Sequence, residues 1–152
     1  GLSDKLKECG NASIINIGSI YGELGPNMSL YDGTEMGNPA AYSASKGGVT
    51  QLTRWLSTVL APNIRANTIS PGTIATEMVN QVVEEDGTGT LMEDFILMHP
   101  IGRIGKPSEI AATAVFLASD GGAFANGSDF RVDGGLVITP RTRPGVGSHS
   151  KE

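Results

Sequence analysis

Three short strand-like runs, each set apart from the next by a long helical stretch, constrain this chain more than any other feature. Residues 12–17, Ala-Ser-Ile-Ile-Asn-Ile, are nearly continuous in apolar character, as in a strand covered on both faces. Gly18-Ser19 ends that run. Residues 64–69 read as a second strand, broken by Pro71-Gly72, and residues 129–133 as a third before Gly134-Gly135. Residues 2–9 have the pattern of a helix closed by Gly10-Asn11. Asn38-Pro39 predicts another helix start, with Asn as the cap and Pro at the first helical position. Ala41, Ala44, Gly48, Leu52, Trp55, Leu56 and Val59 then recur at three- and four-residue steps. That spacing predicts an amphipathic helix ending near Leu60, before Pro62. Pro107-Ser108-Glu109 opens a further helix whose interior, residues 110–118, is apolar almost all round and is expected to be buried on several sides. Strands alternating with helices pair in parallel through right-handed crossovers, so the fold class is α/β.

Composition narrows the function classes. The chain has 152 residues, 39% of them hydrophobic, too many for a disordered segment. No apolar run approaches the ~20 residues of a bilayer span. A net charge of −5 gives no basic footprint for nucleic acid. Cys9 is the one cysteine and has no internal partner, and Gly1-Leu2-Ser3-Asp4-Lys5 lacks a signal-peptide layout. The expectation is a soluble cytoplasmic protein, with neither a nucleic-acid nor a membrane partner. His99 and His149 lack companions at metal-ligand spacing, so no metal is expected. Residues 22–39, rich in Gly and Pro, predict an irregular loop. Residues 76–98 carry six acids and no base, and read as helical pieces interrupted at Gly87-Thr88-Gly89 in a solvated flap. A domain over residues 1–138 is followed by a loose tail over 139–152.

One pair of residues carries chemistry. Tyr42 and Lys46 stand four apart at the start of the second helix, so they project from one face. A tyrosine at its ordinary pKa near 10 is a poor proton-transfer group at neutral pH, and a lysine cation one turn away favours the phenolate. Ser19, at the carboxyl end of the first strand, lies where α/β sheets place their ligands. Its hydroxyl could hold a carbonyl or alcohol oxygen beside Tyr42. Spacing alone does not separate this trio from an ordinary surface Tyr–Lys pair.

Context goes further. The segment Tyr42-Ser43-Ala44-Ser45-Lys46-Gly47-Gly48 resembles the active-site helix of the short-chain dehydrogenases/reductases. Ile14-Ile15-Asn16-Ile17-Gly18-Ser19, Asn63-Ile64-Arg65-Ala66-Asn67-Thr68-Ile69-Ser70-Pro71-Gly72, Pro100-Ile101-Gly102-Arg103, Gly105-Lys106-Pro107-Ser108-Glu109-Ile110 and Val132-Asp133-Gly134-Gly135 resemble the same family in the same order. The resemblance implies a partial Rossmann-like, doubly wound parallel sheet made of the last three strands with flanking helices. It implies an NAD(P)-dependent oxidoreductase acting on an alcohol/ketone pair, NAD or NADP as cofactor, and a homo-oligomer, dimer or tetramer. Ser19 would orient the substrate oxygen, Tyr42 would be the general acid/base, and Lys46 would assist Tyr42 and bind the nicotinamide ribose. Pro71-Gly72-Thr73-Ile74-Ala75-Thr76 matches the family's Pro-Gly-x-x-x-Thr segment, where the Ile74 backbone and the Thr76 hydroxyl would hold the carboxamide. Asp133-Gly134-Gly135 would be structural.

Two departures accompany the match. Ser19 and Tyr42 are farther apart than in many members, so the loop at 24–38 is expanded. The family's glycine-rich pyrophosphate loop, its NAD/NADP selector and the asparagine of its proton relay have no counterpart in these residues. The sequence therefore reads as the carboxyl-terminal half of such an enzyme, expected to be inactive alone. The alternative is a non-enzymatic oligomerisation or scaffold module built on the same partial fold.

Overall fold

The computed structural model describes residues 1–31, 37–85 and 90–139. Three parallel strands, β1 (Ala12–Ile17), β2 (Ile64–Pro71) and β3 (Asp129–Val132), form one sheet in the order β1-β2-β3. The described residues also form five helices, α1 (Leu2–Glu8), α2 (Ala40–Val59), α3 (Glu77–Glu85), α4 (Leu91–Leu97) and α5 (Pro107–Ala118), of which α2 and α5 pack on the sheet. The register pairs Ile17 with Ile69 and Pro71 with Val132. All three strands therefore end at the same edge. The α/β class and the partial doubly wound parallel sheet expected from the sequence are what the chain forms.

Strand parity fixes which helix covers which face, because successive side chains point oppositely. Ser13 Oγ donates to the Leu117 carbonyl of α5, at 3.0 Å, whereas Asn16 Nδ2 donates to Thr53 Oγ1 of α2, at 2.8 Å. The helices α5 and α2 thus lie on opposite faces. β2 is the centre of the core: residues 64–70 are all buried. Its odd-numbered Arg65 and Asn67 reach the α5 side, donating to the carbonyls of Gly122 and Ala125. Its even-numbered Thr68 donates to Thr53 Oγ1 on the α2 side. Asn126 locks the start of β3, accepting from the Ala66 N–H and donating to the Ser57 carbonyl.

The two long helices depart from the sequence expectation. In α2 the residues buried against the sheet are Thr53 and Ser57, while Leu52, Trp55 and Val59 face outward. Both stripes have helical spacing, and the inner one is chosen by hydrogen bonding. Thr53 Oγ1 accepts from Asn16 and Thr68 and donates to the Val49 carbonyl, serving three polar groups with one hydroxyl. In α5 only Leu117 is buried, and Val115 is 69% exposed, so the expected burial on several sides does not occur among the described residues. The start of α2 also shifts by one residue: Pro39 is the cap position and Ala40 the first helical residue. β1 is half-buried rather than covered throughout.

The 3-10 turn Ile20–Gly22 leads into the irregular loop at 22–39, which holds a second such turn at Met28–Tyr31. Its residues 32–36, the interruption at 87–89 and the tail from residue 140 lie outside the described residues. Among the described residues no helix is long and apolar enough to cross a membrane.

Candidate active site

Three sequence-selected residues meet at the carboxyl end of β1. The ladder continues past the strand, with the Gly18 N–H donating to the Ile69 carbonyl at 2.8 Å, and Ser19 follows as a buried residue. Ser19 caps the turn Ile20–Gly22, its Oγ accepting from the Tyr21 N–H at 3.2 Å. That turn packs directly on α2. A Cβ placed on Gly22 would stand 2.9 Å from the Lys46 carbonyl carbon and 3.0 Å from the Gly47 nitrogen. Glycine at position 22 therefore permits the close approach that sets Ser19 beside the Tyr42–Lys46 turn.

Tyr42 and Lys46 occupy the first two turns of α2 and share a face. Lys46 Nζ lies 5.6 Å from the centre of the Tyr42 ring and donates to the Ile17 carbonyl at 3.1 Å. That carbonyl sits at the end of β1, so the sheet itself fixes the ammonium. The Tyr42 ring is held edge-on by Tyr21, with centroids 6.5 Å apart and planes at 71°. Tyr42 remains 41% exposed.

The second group lies on the neighbouring strand. Ser19 and Pro71 each stand two residues past the Ile17–Ile69 pair, so parallel register brings Pro71 and Gly72 level with Ser19. Gly72 fits where no Cβ would, 2.9 Å from both the Asp133 Cα and His99 Nε2. Ile74 forms a lone parallel bridge with Gly105. The bridge is made by Gly105 N–H to the Thr73 carbonyl and Ala75 N–H to the Gly105 carbonyl, each 2.9 Å, so Ile74's own N–H and carbonyl stay out of it. Thr76 Oγ1 accepts from the Val79 N–H at the start of α3, leaving its hydroxyl hydrogen to donate elsewhere. Asp133 is a turn-builder: its two oxygens accept from the N–H groups of Gly135 and Val137.

Sequence reasoning missed two residues here. Tyr21, which braces Tyr42, was signalled only by its place beside Ser19. His99 lacks metal-ligand companions, yet it is buried and bonded on both ring nitrogens, to the Phe95 carbonyl and the Thr73 N–H.

Residues 5–137 match the family profile described as Enoyl-(Acyl carrier protein) reductase. The chain is 39% identical over 130 residues to galactitol 2-dehydrogenase (L-tagatose-forming) of Cereibacter sphaeroides, covering 85% of this chain and 47% of that protein. It is 37% identical over 131 residues to the 3-oxoacyl-[acyl-carrier-protein] reductase FabG of Thermotoga maritima, covering 84% of this chain and 46% of that one. The chain thus spans about half the length of the curated relatives it matches. Among solved structures, a short chain dehydrogenase from Leptospira borgpetersenii with bound NAD+ superposes with a TM-score of 0.74 at 31% identity, over 90% of this chain and 49% of that one.

Proposed function

The chain belongs to the short-chain dehydrogenase/reductase family of oxidoreductases, and from that premise we propose that Ser19, Tyr42 and Lys46 are the proton-transfer side of an NAD(P)-dependent enzyme acting on an alcohol/ketone pair. The observation that carries the reading is the fixed ammonium: Lys46 Nζ is tied to the Ile17 carbonyl while it stands 5.6 Å from the Tyr42 ring. A cation held there stabilises negative charge developing on the phenolic oxygen as the proton leaves. Tyr42 Oη gives a proton to the substrate oxygen in reduction and takes it in oxidation. Ser19 Oγ already accepts from the Tyr21 N–H, so its own hydrogen is the one available to hold the substrate oxygen.

The residues around β2 fit one end of a nicotinamide dinucleotide. The N–H and carbonyl of Ile74, left out of the bridge to Gly105, offer a donor and an acceptor to a carboxamide, with the Thr76 hydroxyl beside them. Pro71 and Gly72 form the turn that carries this segment. Lys46 has further ammonium hydrogens for the ribose hydroxyls. When bound, the nicotinamide supplies or takes the hydride. The glycine-rich loop that would hold the pyrophosphate is not among these 152 residues, so on their own they do not turn over.

The outward stripe Leu52, Trp55 and Val59 of α2, with Val115 and Phe116 of α5, supports a homo-oligomer in which a second copy covers these faces.

Calorimetric titration with NADH and NADPH tests the reading. Binding weakened by Lys46→Met supports it, and binding unchanged by Lys46→Met contradicts the proposed cofactor site. Oxidation of NADH with a ketone by the 152-residue chain, abolished in Tyr42→Phe, would overturn the half-site account.

A further inference from the structure

His99 lies where three segments meet. It is buried, with 3% of its surface exposed, just beyond the end of α4. Its Nδ1 is 2.6 Å from the Phe95 carbonyl oxygen, and its Nε2 is 3.2 Å from the Thr73 nitrogen. The partners settle the tautomer. A carbonyl oxygen only accepts, so Nδ1 carries the hydrogen; a backbone N–H only donates, so Nε2 is the bare acceptor. The imidazole therefore couples the carboxyl end of α4 to the segment after β2, closing the excursion that leaves at Thr73 and returns at His99.

The ring is also seated between two glycine positions. A Cβ on Gly72 would fall 2.9 Å from Nε2, and one on Gly134 would fall 3.3 Å from Cδ2. Beside it a cavity of about 310 Å³ is lined by Thr73, Ile74, His99, Arg131 and Asp133, among others. Thr73 and Ile74 thus border open space on one side. The bridge to Gly105 holds the segment through the Thr73 carbonyl and the Ala75 N–H, and His99 holds it at the Thr73 N–H.

We infer that His99, in its Nδ1–H form, is a positioning residue: by accepting the Thr73 N–H it fixes the turn that presents the Ile74 N–H and the Thr76 hydroxyl to a nicotinamide carboxamide. The inference rests on the cofactor reading above for what the turn presents, and on the hydrogen bonds for how it is held. His99 touches neither substrate nor cofactor in this account.

Amide exchange followed by NMR on the 152-residue chain separates the two layers. His99→Phe keeps the ring volume and removes the acceptor; His99→Gln restores an acceptor at the reach of Nε2. The Thr73 amide is expected to exchange about tenfold faster in His99→Phe and to recover in His99→Gln, while the β2 amides of Ala66 and Ile69 keep their wild-type rates. Imidazole nitrogen shifts in the wild type are expected to report Nδ1–H. Equal Thr73 exchange in all three proteins, or acceleration spread equally through β2, overturns the positioning role, as does an Nε2–H ring. Titration with nicotinamide mononucleotide is expected to move the Ile74 and Thr76 amides in wild type and His99→Gln and much less in His99→Phe. A Thr73 response of the expected kind with no mononucleotide response in any form would overturn the cofactor reading and leave the hydrogen-bonded clasp.

Discussion

Gly22 and Lys46 approach so closely that a methyl group on the glycine would stand 2.9 Å from the lysine carbonyl carbon. This contact joins the turn capped by Ser19 to α2, so it links backbone packing to the geometry of the candidate site. Gly22→Ala is expected to destabilise the chain by about 1–3 kcal/mol through overpacking. Gly25→Ala, whose added methyl would meet nothing within 4 Å, is the control and is expected to change stability by less than about 0.5 kcal/mol. Denaturant midpoints of the two variants check this; equal midpoints would contradict it.

Thr53 is the polar pin between α2 and the sheet. Thr53→Val preserves shape and removes the hydroxyl that serves Asn16, Thr68 and the Val49 carbonyl. Leaving such groups unpaired is expected to cost about 1–3 kcal/mol. The exposed Thr58 hydroxyl donates to the Arg54 carbonyl of its own helix, and Thr58→Val is expected to cost under about 0.5 kcal/mol. Thermal melts of both variants test the difference.

These two sites also show what could be read beforehand. The strands were legible because their apolar runs end in Gly-Ser, Pro-Gly or Gly-Gly, and Tyr42 and Lys46 because four-residue spacing places them on one helix face. Which stripe of α2 turns inward was not legible. Leu52, Trp55 and Val59 repeat as regularly as Val49, Thr53 and Leu56, and the choice depends on Asn16 and Thr68, which meet Thr53 only once β1 and β2 pair. His99 was hidden for the same reason. Its partner Thr73 is 26 residues away, and no local pattern marks a histidine that accepts a backbone N–H.

Arg103 and Glu109 form a two-pronged ion pair, with Nη1–Oε2 at 2.9 Å and Nη2–Oε1 at 2.6 Å. The Arg103 hydrogen bonds, with the Lys106 N–H, hold the Glu109 carboxyl at about 2, below its ordinary 4.5. A carboxyl lowered in the folded state contributes stability above 4.5 and loses it as pH falls toward 2. The melting-temperature gap between wild type and Glu109→Gln is therefore expected to be present at pH 7 and to shrink between pH 4.5 and 2. Because the pair is exposed, the gap is expected to be small. A gap that grows on acidification would contradict the assignment.

Trp55 is 59% exposed on the outer stripe of α2. If a second copy covers this face, Trp55→Glu is expected to weaken self-association, with light scattering as the readout, and to leave the melting temperature at high dilution nearly unchanged. An oligomer as stable as wild type in this variant would place the interface elsewhere.

Tyr42, Lys46, Ile74 and Thr76 are proposed as the nicotinamide side of a dinucleotide site. The most direct measurement is an NMR titration of the isotope-labelled chain with nicotinamide mononucleotide, and in parallel with adenosine monophosphate. The account predicts a weak response to the nicotinamide half, with Kd on the order of 1 mM. It predicts shifts concentrated at those four residues and lost in Lys46→Met, with no matching response to the adenosine half. Equal responses to both nucleotides, or shifts that avoid Lys46 and Ile74, would contradict it.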